Sequence, residues 1–343
     1  MVAPMVGISH VAFRDWIRLF IPEETPVWVF TEMLSSRRVP SQNIELSNHL
    51  KITPDERSGA PWVPQLLINE ERFVRPSIDK LVELGPSGLD INMGCPVKHT
   101  LKHNWGVRLM GDADYAAKVV AWCRSAYDGP LSVKMRLIRT EQSTSSYMHA
   151  FIAKLREAGA DWVTVHARYR ENKHAGKAEW ELLREIHQAI QMPLAANGAV
   201  STTGDIDFLI DELGLDSVML ARGVLAKPWL LWSYFASKSA SDAPQVKASE
   251  LGFSLPVTPR EKGTFYLKAI CLLADSIERW FEDEKARKER LLFFVTMSHK
   301  WFDFGHSFWK GLKSKHSWHE AKDYLHAYAA KAPLELLKTS PIQ

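Results

Sequence analysis

S-G-L-D-I-N-M-G-C-P-V-K, residues Ser87 to Lys98, joins a short apolar run to an abrupt stop. Ser87 to Met93 has the composition of a buried strand, and Gly94-Cys95-Pro96 ends it, so the thiol of Cys95 is expected at the strand's carboxyl end. Sheets flanked by helices carry their chemistry at that end. Pro96 cannot donate to a ladder and fixes its own φ, while Gly94 lets the backbone approach a ligand closely. A free cysteine is more often a small buried hydrophobe, and a Gly-Cys-Pro tripeptide is a weak signal by itself. Whether Cys95 is functional therefore depends on what the chain builds around it.

Outward from this stretch one unit recurs: a short β-branched or apolar run, a turn, then a segment with helical periodicity. Strands are expected at Val2 to Pro4, Val27 to Met33, Trp62 to Leu67, Gly88 to Asn92, Leu131 to Arg136, Trp162 to His166, Leu194 to Asn197 and Ser217 to Leu220. Amphipathic segments between them include Glu70 to Leu84, Asp112 to Tyr127, Tyr147 to Ala158, Glu179 to Ile190 and Thr203 to Leu213. Such a succession of strand and helix predicts an α/β fold, a (β/α)8 TIM barrel. A doubly wound sheet also alternates, but no Rossmann fingerprint occupies the first βα turn.

Gln65, Asn92, Lys134, Arg136, His166, Asn197 and Arg222 all fall at or just past the ends of these strands. A lone histidine in such a place is usually a satisfied structural group. Polar groups recurring at the same end of successive strands instead make a ring around one mouth. Lys134, inside S-V-K-M-R on a central strand, must keep a desolvated charge unless an anion or a π-acceptor meets it. Asn197-Gly198 before Thr202-Thr203, and Ala221-Arg222-Gly223 after the eighth strand, offer backbone N–H groups of the kind that hold a phosphate. A cationic partner and a phosphate seat at one mouth suit flavin mononucleotide.

These residues resemble the tRNA-dihydrouridine synthases, FMN-dependent bacterial barrels that reduce a uridine of tRNA. The resemblance rests on A-P-M at Ala3 to Met5, V-P-Q-L around Gln65, D-I-N-M-G-C-P-V-K, V-K-M-R around Lys134, T-V-H-A-R at Thr164 to Arg168, A-N-G at Ala196 to Gly198 and A-R-G at Ala221 to Gly223. It implies that Ala3, Pro4, Met5 and Gln65 contact the isoalloxazine, and that Lys134 and His166 hold its polar edge and ribityl chain. Asn197, Gly198, Ala199, Ala221 and Arg222 would hold the phosphate. Cys95 would be the general acid, Asn92 would contact the pyrimidine, and Lys98 and Arg136 would reach the base or its phosphates. NADPH is the implied reductant and no metal is implied. A thiol that stays protonated near neutral pH suits this acid role. Where the family has a glycine-rich run after the cysteine, this chain has K-H-T-L-K-H-N-W-G-V-R from Lys98 to Arg108. That bulk implies altered tRNA contacts or lost activity. Val6, His10, Ala199 and Ala221 also depart from the residues common in the family.

Charge is unevenly spread. The chain of 343 residues carries a formal +3, yet from Phe253 onward there are 15 Lys+Arg against 11 Asp+Glu, so the excess is confined to the last quarter, with five of the 13 histidines. Residues 237–259, rich in Ser, Ala and Pro, read as a linker between a catalytic barrel over 1–236 and a helical tRNA-binding domain over 260–335. Its helices are expected at Arg260 to Trp280, Asp283 to Phe302, Ser307 to Lys313 and Trp318 to Ala330. Lys285, Arg287, Lys288 and Arg290 form a basic run there, partly neutralised by Glu282 to Glu284. His299-Lys300-Trp301 resembles a basic-aromatic segment of the family's appended domain, which makes Lys300 a tRNA contact. Three scattered cysteines argue against a disulfide framework and fit a reducing cytoplasm. Cys123 and Cys271 lie on apolar helical faces and read as core. No apolar run is long enough to span a bilayer, and no signal peptide is expected. A monomer is the expected state. A flavin barrel acting on a small pyrimidine or enone, and a tRNA-binding family member without catalysis, are the alternatives.

Overall fold

Val2 closes the molecule on itself. In the computed structural model, which describes residues 1–44, 46–139, 143–169, 171, 176–239 and 244–331, seven strands form one sheet in the order β1 to β7. They are β1 (Val29–Ser35), β2 (Trp62–Leu67), β3 (Leu89–Met93), β4 (Leu131–Leu137), β5 (Trp162–Tyr169), β6 (Leu194–Asn197) and β7 (Ser217–Met219). Every adjacent pair is parallel. The opening segment then bridges the two edges, pairing Val2 with Val29 on one side and with Leu220 on the other. Val2 N–H donates to the Trp28 carbonyl at 2.8 Å and Ala3 N–H to the Leu220 carbonyl at 2.7 Å. The result is a closed (β/α)8 TIM barrel. The strand expected at Val2 to Pro4 is only a bridge at Val2, because Pro4, with no N–H, cannot extend the ladder.

Both faces of the sheet are covered, which is why the strands read as apolar runs. Outside, helices bury one large cluster against the strands. Inside, Ala3, Phe30, Val63 and Met219 make a smaller one, with Trp28 and Ala221 packed on it. Strand alternation then decides which polar residues point inward. Asn92, Lys134, Thr164 and Ala195 lie side by side across β3 to β6 in register, and Arg136, His166 and Asn197 form the next row toward the carboxyl ends. β2 and the last helix, Trp318–Ala330, have the expected bounds, whereas β1 begins and ends two residues later than expected and carries a bulge between Phe30 and Met33.

The helix Val11–Arg18 was not legible as a helix. Arg14 and Arg18 lie four apart on its polar face with Asp15, yet both are buried. Arg14 meets Glu56 at 2.7 Å, and Arg18 donates to the carbonyls of Val27, at 2.9 Å, and Pro61. His10 caps this helix, its Nδ1 accepting from Phe13 N–H at 3.3 Å.

The C-terminal helices dock on that helix. Helix Pro259–Trp280 opens with a reciprocal Thr258/Glu261 capping box. Trp16 Nε1 donates to the Ala269 carbonyl at 2.7 Å, Ser276 Oγ to the Ala12 carbonyl at 3.0 Å, and Asp15 accepts from Arg279 and Trp280 at 3.0 Å each. Helices Glu284–Ser298, Gly305–Lys313 and Trp318–Ala330 complete the bundle. Asp283, expected inside its helix, is instead the cap, accepting from Ala286 N–H at 2.7 Å, and His299–Trp301 is a separate 3-10 turn. Residues 244–258, within the stretch read as a linker, lie on the barrel: Val246 and Ala248 are buried, and Ala248 N–H donates to the Leu19 carbonyl at 2.9 Å. Residues 240–243 and 332–335 of the expected boundaries lie outside the described residues. Among the described residues no helix is long and apolar enough to cross a membrane.

Trp16 is 1 % exposed and packs edge-on against Phe20 at 5.4 Å and Phe294 at 5.3 Å. Trp16→Ala is expected to cost about 3–5 kcal/mol and to lower the melting temperature; a midpoint within about 1 °C of wild type would show that this contact does not hold the bundle on the barrel.

Candidate active site

Three strand ends converge on the Cys95 turn. Gln65 on β2 donates from Nε2 to Asp90 Oδ2 at 2.6 Å, and its Oε1 accepts from Asn92 Nδ2 at 2.8 Å. Asn92 Oδ1 accepts from the backbone N–H groups of Gly94 at 3.2 Å and Cys95 at 3.0 Å, the hydrogen-bond pattern of an Asx turn. From β4, Arg136 Nε donates to the Gly94 carbonyl at 2.9 Å. The Cys95 carbonyl accepts from Val107 N–H at 3.1 Å and Thr100 Oγ1 at 3.3 Å. Gly106 lies so close that a Cβ there would sit 2.5 Å from the same oxygen. Cys95 is partly exposed, and Lys134 and Arg136 both stand near it. Cys95 is thus presented at the mouth on a turn tied at both ends.

The bulky loop from Lys98 to Arg108 is folded around an indole. Asn104, at φ 56°, takes a left-handed conformation that asparagine tolerates, and Gly106 follows at φ 62°. Between them Trp105 is buried; its Nε1 donates to Asn69 Oδ1 at 2.7 Å, and Asn69 Nδ2 donates in turn to the His103 carbonyl at 3.0 Å. Arg37, which also bonds Glu70 at 2.8 Å, covers the ring at 5.1 Å. The bulk is spent on anchoring the loop to the end of β2. Lys98 opens the helix Lys98–Lys102, and its side chain lies outside the described residues.

From β4 onward the groups around the mouth are cationic. Lys134 Nζ donates to Asn197 Oδ1 at 3.0 Å, and Asn197 Nδ2 donates to the Met219 carbonyl at 2.7 Å. Burial, with the Arg136 charge adding to it and Asp90 and Cys95 opposing, brings the Lys134 ammonium down to about 8. Gly198 must be glycine: its φ is 108°, and a Cβ would stand 2.5 Å from His166 Cδ2. Ala199 follows at φ 63°, a left-handed conformation that costs an alanine energy and that surrounding structure must impose. Arg222 is exposed at the rim after β7, and the buried Arg168 at the end of β5 feels its charge; burial first and that like charge second lower Arg168. Thr164 Oγ1 is buried without a hydrogen-bond partner among the described residues. An ammonium, two neighbouring guanidiniums and the backbone of two left-handed residues fit an anionic group that carries a π-acceptor ring.

The opening motif borders the same mouth. Ala3 is buried, its carbonyl accepting from Ser9 Oγ at 3.1 Å, while Pro4 and Met5 are partly exposed and Met5 N–H donates to Ser9 Oγ at 3.0 Å. Gly7 N–H donates to Glu32 Oε2 at 2.9 Å, and Phe293 of the bundle lies over Gly7. Lys300 is exposed on the turn His299–Trp301, whose flanking aromatics are buried: His299 stacks on Trp309 at 5.3 Å, and Lys227 caps Trp301 at 5.4 Å. The basic run is largely committed to the bundle, with Arg287 bonding the Phe281 carbonyl at 2.6 Å, Lys288 the His316 carbonyl at 3.2 Å, and Arg290 over the Phe281 ring at 5.8 Å. A cavity of about 710 Å³ beside the Cys95 loop, lined by Arg108, Tyr115, Arg139 and Tyr147 among others, includes none of the mouth residues. Asp90, Arg168 and Trp105 were given no role from sequence. Alternation could have found the first two, since Asp90 shares a face with Asn92 and Arg168 follows His166 by the same step.

A family model described as Dihydrouridine synthase (Dus) matches residues 1–259. A probable tRNA-dihydrouridine synthase of Rhizobium leguminosarum bv. phaseoli is 33% identical over 230 residues, 67% of this chain and 69% of that protein. A probable tRNA-dihydrouridine synthase 1 of Synechocystis sp. is 30% identical over 252 residues, 71% of this chain and 67% of that one. A tRNA-dihydrouridine(16) synthase of Ralstonia nicotianae is 29% identical over 236 residues, covering 67% and 70%.

Burial raises the Asp90 carboxyl from 3.8 to about 7, against the hydrogen bonds from Ser132 and Gln65 and the Lys134 charge. Between those two values the folded state holds a proton that the unfolded chain has lost, so stability falls as pH rises through that window. Asp90→Asn should remove that slope, worth on the order of 4 kcal/mol across the window. Urea unfolding of both proteins at pH 4.5 and pH 7 measures it, and equal slopes would refute the assignment.

Proposed function

The chain belongs to the dihydrouridine synthase family, a family of flavin-dependent oxidoreductases, and from that premise we propose that it reduces the C5=C6 bond of a uridine in tRNA, with FMN bound at the barrel mouth and NADPH as reductant. The observation that carries this reading is a Cys95 turn clamped by Asn92 and Arg136 at the end of the strand next to Lys134, which itself reaches Asn197. When bound, FMN supplies hydride chemistry. Ala3, Pro4, Met5 and Gln65 would meet its ring, Lys134 and His166 its polar edge and ribityl chain, and Asn197, Gly198, Ala199, Ala221 and Arg222 its phosphate, with Arg168 adding a second guanidinium.

Saturating a carbon–carbon double bond takes a hydride at one carbon and a proton at the other. Cys95 Sγ holds that proton. Asn92 keeps its turn in place and, an amide having two N–H donors, retains one beyond the bond to Gln65 for the uracil edge. Arg136, tied by Nε to the turn, would reach the base or a phosphate, and Lys98 begins the helix that follows the turn. A target base must leave its stack to enter a barrel mouth. The docked bundle, with Lys300 exposed next to the Lys227–Trp301 contact, would grip the tRNA body. The hydrogen bonds that close the Lys98–Arg108 loop onto the Cys95 carbonyl favour a working acid over a binding protein without catalysis. A tRNA substrate places the enzyme in the cytoplasm, and one chain supplies every group named, so a monomer suffices.

The purified protein should be yellow. Cys95→Ala should keep FMN and tRNA binding while tRNA-dependent oxidation of the reduced flavin falls at least about 100-fold, with dihydrouridine in the tRNA measured by mass spectrometry. A colourless protein that refuses FMN, or unchanged turnover in the variant, would end this reading.

A further inference from the structure

We infer that Asp90 is a positioning residue for the Cys95 turn: through Gln65 and Asn92 it fixes which way two buried amides point, and so where the thiol is held. The orientation is determined from both ends of the chain of bonds. At one end the N–H groups of Gly94 and Cys95 are obligatory donors, so the group facing them on Asn92 must be Oδ1. Its Nδ2 is then left for Gln65, whose facing atom must be Oε1, and Gln65 Nε2 is turned toward residue 90. At the other end, Asp90 Oδ2 accepts from Nε2 at 2.6 Å, while Oδ1 is engaged by Ser132 Oγ at 2.5 Å.

Gln65 and Asp90 are fully buried and Asn92 is 6 % exposed, so no bulk water relieves a reversed amide. A flipped Gln65 would set oxygen against oxygen at Asp90 and nitrogen against nitrogen at Asn92, two unsatisfied contacts in a low-dielectric site. Protonation leaves the acceptor in place, because a proton on Oδ1 can go to Ser132 Oγ, whose own hydrogen has the Leu89 carbonyl at 3.4 Å. Residue 90 must therefore accept; it need not be charged. The chain of bonds is independent of the proposed function, and only the meaning given to its ends, a cofactor contact at Gln65 and an acid at Cys95, rests on that reading.

Alkylation of Cys95 by N-ethylmaleimide in the full-length protein, followed by peptide mass spectrometry, reads the order of the turn. Asp90→Ala, which removes the acceptor, should speed modification of Cys95 about tenfold while Cys271 keeps its wild-type rate. Asp90→Asn, which can accept from Gln65 and donate to Ser132, should stay within about twofold of wild type. Equal rates in Asp90→Ala and wild type, or Asp90→Asn as fast as Asp90→Ala, would overturn the inference. If Asp90→Ala does not fold, Asn92→Ala tests the last link, and an unchanged Cys95 rate there overturns it equally. FMN affinity measured on the same variants separates the two claims: faster alkylation with unmoved affinity upholds the positioning role and removes Gln65 from the cofactor site.

Discussion

A strand buried on both faces carries a polar side chain cheaply only where another strand supplies its partner. That constraint shapes the whole barrel interior. Gln65 on β2 is completed by Asp90 on β3 and Asp90 by Ser132 on β4, while Lys134 on β4 is completed by Asn197 on β6. These bonds exist because the cylinder is closed by Val2 and because register brings the rows level. The polar residues cannot drift to other positions without orphaning a buried group, so one mouth of the barrel is chemically prescribed by packing alone.

The same burial sorts the charges. Asp90 is pushed up and Lys134 down by desolvation, toward about 7 and about 8, so neither is a group whose ionisation is simply assured near neutrality. Each is held by neutral amides and hydroxyls more than by a counter-ion. At the rim, Arg168 and Arg222 feel each other's charge. The mouth thus combines a thiol turn clamped by a chain of amides and by Arg136 with glycine and alanine in left-handed conformations after β6.

The bundle is part of this arrangement. Helix Val11–Arg18 lies under helix Pro259–Trp280, and Phe293 of the next helix touches the loop that follows Ala3–Met5. The bundle proposed to grip the tRNA therefore touches the loop that follows the motif proposed for the flavin ring. Most of the basic run serves this packing, bonding carbonyls or covering Phe281, so a dense charge run in sequence was in large part a structural device.

Local sequence was sufficient for the succession of strands and helices, for the stop after Met93 that presents Cys95, and for the recurrence of polar residues at strand ends. Each of these follows from periodicity and turn chemistry within a few residues. Only the tertiary structure decided that Lys134 meets Asn197, 63 positions away, that Asp90 orients Gln65, and that Arg168 comes near Arg222. It also made Trp105 an anchor on Asn69, and buried Arg14 and Arg18 on the polar face of their helix. Register and docking set those contacts, and a period of two or of 3.6 residues carries no information about the register between remote segments.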